Sequence, residues 1–207
     1  MPKPVIIIGG GGHAKVLIDA LQANGLELLG VVDPVAPVNG SGPLGTPYLG
    51  GNDVLDGHAP ETISLVNGLG SLPGRDGRRN VFEEFGARGY EFLTVIHPGA
   101  VIGAETSLGT GVQIMAGAIV QAGTSIGDNT IINTRACVDH DCQIGRDVHI
   151  APGAVMCGSV IVGDGAHIAT GSNIVQSINI GVNAVIGAGS TIVRDVADGE
   201  KVILSKS

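Results

Sequence analysis

The sequence predicts two folds in series: a small Rossmann-like α/β domain followed by a parallel β-helix, an α/β plus β-solenoid architecture. Two observations predict it. Near the start, a glycine-rich turn joins a short apolar run to an amphipathic segment. From Val95 to Val196, a six-residue period then continues without an insertion. We place the domain boundary near residue 93, so residues 1–93 form the α/β domain and residues 94–207 form the solenoid.

The first stretch has the order strand, glycine turn, helix, strand. Residues 4–8 (PVIII) form the continuous apolar run of a buried strand, and apolar residues recur at helical spacing from His13 to Gly25. A second strand is expected from Leu28 to Val32, and Asp33 follows it. A strand, a glycine turn and a helix with an acid after the second strand are typical of mononucleotide-binding units.

The turn itself matches G-x-G-x-x-A at Gly9, Gly11 and Ala14, with Gly12 in the same run. Glycines let the backbone approach a phosphate, and a helix N-terminus offers unpaired N–H groups and a positive dipole. We therefore expect a nucleotide here, and a merely tight turn is the alternative. For Asp33, a hydrogen bond to a ribose or base and a simple capping role are both open.

The rest of the first domain is less regular. Residues 53–55 predict a short helix, residues 64–67 a third strand, and residues 75–89 an amphipathic helix whose apolar side chains face inward. We expect the arginines of this last segment to form a solvated face rather than a phosphate site.

In the solenoid, the second position of every hexad is aliphatic, and small or turn-forming residues dominate the fourth and fifth positions. This is the signature of a hexapeptide β-helix, in which each coil buries its face against its neighbours. Three hexads close one triangular coil, so residues eighteen apart should stack. A meander of hairpins would need a turn signal about every 8–12 residues instead.

Composition argues against several classes of partner. The net charge of −8 disfavours nucleic acid, and no basic patch for a membrane surface is evident. The opening apolar run is too short for a signal peptide or a membrane span, so we expect a cytoplasmic protein with no membrane partner. The three cysteines all lie in the solenoid, and we interpret them as small residues of the coils rather than a disulfide framework or a catalytic thiol.

One hexad, CVDHDC, stands out from the uncharged polar residues that fill most outward positions. His140 lies at its bend between Asp139 and Asp141, and two neighbouring acids raise the pKa of an imidazole, which suits a general base. A solvated bend histidine is the alternative. The residues alone leave open which of the two acids pairs with His140.

Three further positions favour the catalytic interpretation. His149 and His167 are eighteen residues apart and should stack in successive coils. Gly158 is eighteen residues after His140, and it has no side chain to block its amide. A base, an accessible backbone N–H and an adjacent pair of histidines could together form an acyl-transfer site.

Two motifs together carry a family resemblance that covers nearly the whole chain. The GGGGHAK turn, joined to hexads containing INTRACVDHDCQIG and HIAPGAV, resembles sugar O- and N-acetyltransferases of the sialic-acid acetyltransferase type. The chain is most similar to those that acetylate the 4-amino group of a nucleotide-linked 4-amino-4,6-dideoxyhexose. The resemblance favours GDP-perosamine, with a UDP-linked sugar as the alternative.

This resemblance implies a left-handed β-helix, a homotrimer with acetyl-CoA between neighbouring helices, no metal, and a role in O-antigen biosynthesis. It makes His140 the catalytic base and Asp141, where many relatives carry Glu, its partner. With the glycine turn and the histidine stack included, the expected ligand contacts are Gly9, Gly11, Gly12, His13, Asp33 and Asn133 for the nucleotide sugar, and His149, Gly158 and His167 for acetyl-CoA. Relatives usually end in G-x-P-A-K, whereas this chain ends in KVILSKS.

The expected reaction is direct transfer: His140 takes a proton as the sugar amine attacks the thioester, and the Gly158 amide stabilises the oxyanion. Three alternatives stay open. An O-acetyltransferase acting on sialic acid or a related sugar would share the fold and the donor. A zinc-dependent carbonic anhydrase would share the repeat, but its three histidine ligands have a different spacing. A nucleotide-sensing or structural solenoid would have no activity.

Overall fold

The computed structural model describes residues 2–203, so the last four residues of KVILSKS lie outside it. The chain divides into two compact units, Met1–Pro98 and Gly99–Ser207, whereas the sequence places the boundary near residue 93. The hexad register does begin at Val95. However, Asn24, at the end of the first helix, donates a hydrogen bond from Nδ2 to the carbonyl of Ile96 at 2.9 Å, so the first hexad belongs to the first unit.

A parallel sheet with two helices forms the first unit. Its strands are β1 (Val5–Ile8), β2 (Leu28–Val32), β3 (Tyr48–Gly50), β4 (Ser64–Asn67) and β5 (Glu91–Phe92), and its helices are α1 (Gly12–Ala23) and α2 (Gly77–Ala87). Short 3-10 segments lie at Pro43–Gly45 and Asn52–Gly57. The strands β1, β2 and β4 and both helices confirm the predicted elements of a Rossmann-like domain, whereas the sequence did not predict β3 and β5.

The strand order β3-β2-β1-β4-β5 reverses beside β1. The chain first adds β2 and β3 on one side of β1 and then adds β4 and β5 on the other side, with every pair parallel. In open parallel sheets, ligands bind at the carboxyl ends of the strands where the order reverses. Here that position is occupied by Gly9–Gly12, which follow β1, and by Gly68, which follows β4.

Both faces of this sheet are covered by apolar packing. The four residues of β1 are at most 1% exposed, and helix α1 buries Leu17 and Ile18 completely. Helix α2 buries Phe85 in a cluster with Tyr90 and Phe92. Val81 and Phe82 pack on the same cluster, as the amphipathic pattern predicts. Each fully buried side chain of this size contributes about 1.5–3 kcal/mol through removal from water.

The solenoid consists of two-residue strands, one for each hexad. Their bounds are β6 (Val95–Ile96), β7 (Val101–Ile102), β8 (Ser107–Leu108), β9 (Gln113–Ile114), β10 (Ile119–Val120), β11 (Ser125–Ile126), β12 (Ile131–Ile132), β13 (Cys137–Val138), β14 (Gln143–Ile144), β15 (His149–Ile150), β16 (Val155–Met156), β17 (Ile161–Val162), β18 (His167–Ile168), β19 (Asn173–Ile174), β20 (Asn179–Ile180), β21 (Val185–Ile186), β22 (Thr191–Ile192) and β23 (Lys201–Val202).

In the second unit these strands stack into three parallel sheets. One sheet has the order β22-β19-β16-β13-β10-β7, another β20-β17-β14-β11-β8, and the third contains β23-β21-β18-β15-β12-β9. Strands separated by three hexads pair in register, so that Ile131 faces His149 and His149 faces His167. The predicted stacking of residues eighteen apart is therefore confirmed.

Two columns of side chains fill the interior of the solenoid. The predicted column at the second position of each hexad is buried from Ile114 to Ile192. The sixth position, from Val112 to Val196, forms another buried column that the periodicity argument did not identify. Fifth-position residues from Glu105 to Gly189 take a left-handed backbone, with φ of 58° at Arg135. This conformation explains why Gly, Asn, Asp and Ser are frequent at the bends.

Candidate active site

The bend of the CVDHDC hexad holds a histidine–aspartate pair. The Nδ1 atom of His140 lies 2.8 Å from Oδ2 of Asp141, and the His140 amide donates to Oδ1 of Asp139 at 2.8 Å. Asp141 is thus the acid that contacts the imidazole ring of His140, while Asp139 accepts a hydrogen bond from the backbone N–H of His140. The hydrogen bond with Asp141, reinforced by the negative charge of Asp139, raises the pKa of His140. Both side chains are more than half exposed, at 59% for His140 and 66% for Asp141.

Glycines on the two neighbouring coils make room for this pair. A Cβ atom on Gly158, one coil later, would lie 2.5 Å from Cε1 and 2.6 Å from Nε2 of His140. A Cβ atom on Gly123, one coil earlier, would lie 2.6 Å from Oδ1 of Asp141. The imidazole therefore lies against Gly158 and the carboxylate against Gly123, so three successive coils shape the site.

At the fourth hexad position, some backbone amides are paired with an aspartate and others, including that of Gly158, are not. The amides of Thr110, Arg146 and Val182 each donate to an aspartate Oδ1 at 2.7 to 2.9 Å. For Gly158, the carbonyl accepts a bond from the Ser177 amide at 3.0 Å. Its own N–H has no acceptor among residues 2–203. This N–H can therefore serve as a donor to a ligand.

Thr124 supports the bend from the preceding coil, and sequence reasoning missed it. Its buried hydroxyl donates to the carbonyl of Asp139 at 3.0 Å and accepts from the amide of Cys142 at 3.3 Å. Thr130 makes the same pair of bonds to the coil after it, with Gly145 and Val148. A threonine at the sixth hexad position is thus a general support of the coils, and only its register with His140 gives it a part in this site.

A second cluster connects Asn133, His149 and His167. Nδ2 of Asn133 lies 3.0 Å from Nε2 of His149, and Oδ1 of Asn133 accepts a bond from the Thr134 amide at 2.8 Å. The His149 and His167 rings meet edge to face with centroids 4.9 Å apart. His149 is 8% exposed, and burial lowers the pKa of His167. Among residues 2–203, the buried Nδ1 atom of His167 has no hydrogen-bond partner.

In the first unit, the glycine turn and Asp33 come together at the reversal of strand order. Oδ2 of Asp33 accepts from the Gly10 amide at 2.7 Å, and Oδ1 accepts from the Val35 amide at 2.8 Å. Oδ2 therefore holds the glycine turn and Oδ1 caps the loop that follows β2, which is the capping alternative raised from the sequence. Cβ atoms on Gly11 and Gly12 would meet no atom within 4 Å, so this part of the turn is open to a ligand.

Two cavities border Asp33. The first, of about 640 Å³, is lined by Gly9, Gly11, Gly12, His13, Asp33, Gly68, Leu69, Gly70, Leu72, Arg75, Gly77 and Arg78. The second, of about 490 Å³, lies beside Gly10, Gly11 and Asp33 and is lined further by the loop from Val35 to Pro43 and by Tyr48. Helix α1 begins at the first cavity, and its N-terminus has neither a side-chain cap nor an acid in the first turn. The surroundings of this cavity suit an anion.

Arg78 contradicts the expectation of a solvated arginine face. It is only 5% exposed, and its Nη1 atom donates to the carbonyls of Asn67 at 3.0 Å and Leu69 at 2.8 Å. Asn67 returns a bond from Nδ2 to the Arg78 carbonyl at 2.8 Å. The physical reason is that carbonyls at the buried end of a strand need donors, and a guanidinium can supply several at once. Arg78 thus anchors α2 to the end of β4.

In residues 2–203, no three or more His, Cys, Asp and Glu side chains are grouped to hold a metal ion. Over the same residues, no helix combines the length and apolar character needed to cross a bilayer.

Comparison with known families gives two matches. The model of the PglD N-terminal domain matches residues 4–85. The bacterial transferase hexapeptide model, which describes six repeats, matches residues 123–158 and 141–176. The first match covers most of the first unit, and the second contains the His140 bend. No sequence relative with a curated description matches the chain.

Solved structures match along almost the entire chain. PerB from Caulobacter crescentus, in complex with CoA and GDP-perosamine, is 36% identical with a TM-score of 0.87, covering 97% of this chain and 93% of that one. The acetyltransferase domain of PglB from Neisseria gonorrhoeae FA1090, in complex with acetyl coenzyme A, is 33% identical with a TM-score of 0.89, covering 98% and 97%. WeeI from Acinetobacter baumannii AYE, at 22% identity and a TM-score of 0.84, covers 97% and 96% and shares the fold.

These matches confirm both parts of the architecture, including the left hand of the β-helix that the sequence resemblance implies. They also confirm that the chain is an acyltransferase rather than a non-enzymatic solenoid. The chain therefore belongs to the hexapeptide-repeat sugar acetyltransferases that carry a PglD-type N-terminal domain.

Proposed function

We propose that this protein transfers the acetyl group of acetyl-CoA to the 4-amino group of a nucleotide-linked 4-amino-4,6-dideoxyhexose, with GDP-perosamine as the preferred substrate. The hydrogen bond between Nδ1 of His140 and Asp141 carries the proposal, because it is the arrangement of a general base. Support for the substrates comes from relatives above 30% identity, one solved with CoA and GDP-perosamine and another with acetyl coenzyme A.

His140 is the proton acceptor in this reaction. The ionised Asp141 carboxylate accepts a hydrogen bond from Nδ1–H, which leaves the lone pair of Nε2 available. The neutral amine attacks the thioester carbonyl carbon and forms the new C–N bond, and Nε2 takes the proton that the nitrogen loses. The C–S bond then breaks, and the departing CoA thiolate receives that proton from the imidazolium. The amide forms without a covalent acyl-enzyme.

The Gly158 amide is the proposed oxyanion donor. Its N–H has no acceptor in the described part of the chain, and the His140 ring lies against the same residue. The base and the donor are therefore adjacent, as the collapse of a tetrahedral intermediate requires. Removing one such donor from other acyl-transfer enzymes costs about 2.7–4 kcal/mol of transition-state stabilisation.

Nucleotide binding is assigned to the first unit. The phosphates of the sugar nucleotide would lie near Gly9, Gly11, Gly12 and His13 in the cavity of about 640 Å³. Asp33 accepts hydrogen bonds from the amide of Gly10, in this turn, and from the amide of Val35, in the loop after β2. The remaining lone pairs of its carboxylate can accept from a ribose or base.

The remaining assignments concern the donor and the assembly. Acetyl-CoA would lie along the solenoid near His149, Gly158 and His167, with Asn133 close to the reacting groups. We also propose that the enzyme works in the cytoplasm as a homotrimer, with the donor held between neighbouring β-helices.

The test is thiol release from acetyl-CoA with a panel of GDP- and UDP-linked 4-amino sugars. We expect rapid release with one of them and a fall of at least about a hundredfold in His140→Ala. His58→Ala, a histidine outside both clusters, is the matched control and should keep the wild-type rate. Activity that survives His140→Ala would contradict the mechanism.

Adding hydroxylated sugars to this panel and measuring the zinc content of the purified protein discriminate the alternatives. Release with a hydroxylated sugar but with no amino sugar would identify an O-acetyltransferase. Stoichiometric zinc in the purified protein, with loss of activity on its removal, would favour the metal-dependent alternative.

A further inference from the structure

The next residue along the chain, Thr134, fixes the orientation of the Asn133 side-chain amide. The backbone N–H of Thr134 is a donor, and it lies 2.8 Å from the atom assigned as Oδ1 of Asn133. The Thr134 hydroxyl lies 3.4 Å from the same oxygen. Exchanging the oxygen and nitrogen of the amide would bring two N–H donors together, so the network determines the assignment. The NH₂ group of Asn133 therefore faces His149.

This orientation determines the protonation of His149. The amide nitrogen of Asn133 can only donate, and it lies 3.0 Å from Nε2 of His149. Nε2 must therefore accept, which means that it carries no proton. An imidazole without a proton on Nε2 is the neutral form with its proton on Nδ1. An imidazolium at this position would place two N–H donors against each other.

The surroundings of His149 favour the neutral ring as well. The side chain is 8% exposed, and burial disfavours the charged form of a histidine. One titratable neighbour is His167, whose ring meets that of His149 edge to face with centroids 4.9 Å apart. Burial lowers the pKa of His167, so this neighbour also stays neutral and adds no charge to the cluster.

We infer that Asn133 is a positioning residue that holds His149 as the neutral Nδ1–H tautomer, so that His149 is oriented for the reaction and does not act as a base. The inference rests on the proposed function for its meaning in the reaction. With the Nε2 lone pair of His149 already accepting from Asn133, proton acceptance is left to His140. His140 lies at a bend and His149 lies in strand β15. The two histidines thus have different tasks, set by a carboxylate beside one and a carboxamide beside the other.

The first experiment reads the tautomer directly. Long-range proton–nitrogen NMR of protein labelled with ¹⁵N-histidine distinguishes Nδ1–H from Nε2–H rings, and His149→Gln assigns the signal. We expect the Nδ1–H form without titration between about pH 6 and 8, the range in which an unperturbed histidine titrates. In Asn133→Asp, a carboxylate faces Nε2, so we expect a proton on Nε2. Asn173→Ala, an exposed asparagine of the solenoid, should leave the signal unchanged.

The second experiment separates positioning from substrate contact. If Asn133 acts through His149, Asn133→Ala should lower kcat by about tenfold to a hundredfold, the usual effect of losing a histidine's orienting partner. The KM for the nucleotide sugar should change by less than about twofold, whereas a direct contact with the substrate would raise it by about tenfold, one lost hydrogen bond.

Two results would overturn the inference: an Nε2–H ring for His149 in the unaltered protein, or an unchanged His149 signal in Asn133→Asp. A rise in KM with unchanged kcat in Asn133→Ala would also contradict it and would favour substrate contact. The NMR result does not depend on which substrate is used. Failure of the proposed acetyl transfer is therefore distinguishable from failure of this inference.

Discussion

Gly158 should be required for activity because of the space it leaves, in addition to the amide it offers. In Gly158→Ala the new Cβ atom would lie 2.5 Å from Cε1 of His140. Reaching the 3.4 Å at which ordinary contacts begin requires a shift of about 0.9 Å. The imidazole can turn away because it is more than half exposed, but this movement breaks its 2.8 Å bond to Asp141.

The expected loss follows from this displacement. Misplacing a reacting group by about 1 Å costs about a hundredfold in rate, so kcat of Gly158→Ala should fall by about that factor. The backbone of Gly158 does not have a positive φ, so alanine fits its conformation. The melting temperature should therefore stay close to that of the unaltered protein, because the moving ring is largely solvated. Acetyl-CoA thiol release and thermal unfolding measure the two quantities.

A double-mutant cycle tests the reasoning. Once His140 is replaced by alanine, the clash has no partner, and adding Gly158→Ala should lower the residual rate by less than about twofold. A full hundredfold penalty in that background would refute the steric explanation and point to the amide or the donor site instead. Gly86→Ala is the matched control, since a Cβ atom there meets nothing within 4 Å. It should leave kcat unchanged.

Two other predictions concern the dyad and the first unit. In Asp141→Asn, the negative charge and its hydrogen bond no longer raise the pKa of His140. The reaction needs the neutral imidazole, so the acidic limb of the pH profile of kcat/KM should move to lower pH, and the plateau should fall by at least about tenfold. An acidic limb at the same pH as in the unaltered protein would contradict the pairing of His140 with Asp141. Arg78→Met removes the donors to the carbonyls of Asn67 and Leu69 and should destabilise the first unit by about 1–3 kcal/mol in urea unfolding. Arg79→Met, a partly exposed neighbour, is the control and should change stability by less than about 0.5 kcal/mol.

Local patterns predicted the elements of this fold. The run Leu28–Val32 was identified with the bounds that the structure has, because a short apolar run ending at Asp-Pro has few other conformations. The aliphatic second position predicted the buried column from Ile114 to Ile192, because a strict period of six leaves one face to bury. The stacking of His149 on His167 followed from the same arithmetic. The boundary was less predictable, since Val95 keeps the hexad register while belonging to the first unit.

Side-chain contacts between distant residues were harder to anticipate. The partners of Arg78 are carbonyls that precede it by up to eleven residues, and only the fold brings them to its guanidinium. Asn133 and His149 are sixteen residues apart, which differs from the stacking interval, so the spacing argument connected His149 to His167 instead. The pairing of His140 with Asp141 rather than Asp139 also depended on geometry. Asp141 adopts a φ of 58°, and this left-handed bend turns its carboxylate toward the ring.

The placement of the dyad between Gly123 and Gly158 has a consequence for how this solenoid can change in length during evolution. Adding eighteen residues before Gly123 or after Gly158 inserts one complete coil. The contacts of Asp141 with Gly123 and of His140 with Gly158 stay intact. Adding a single hexad between the glycines would move every later bend to the next edge of the triangle and place Gly158 at a different edge from His140. Duplications and deletions that keep the dyad between its two glycines are therefore those outside residues 123–158, and this stretch coincides with one of the two matches to the six-repeat hexapeptide model.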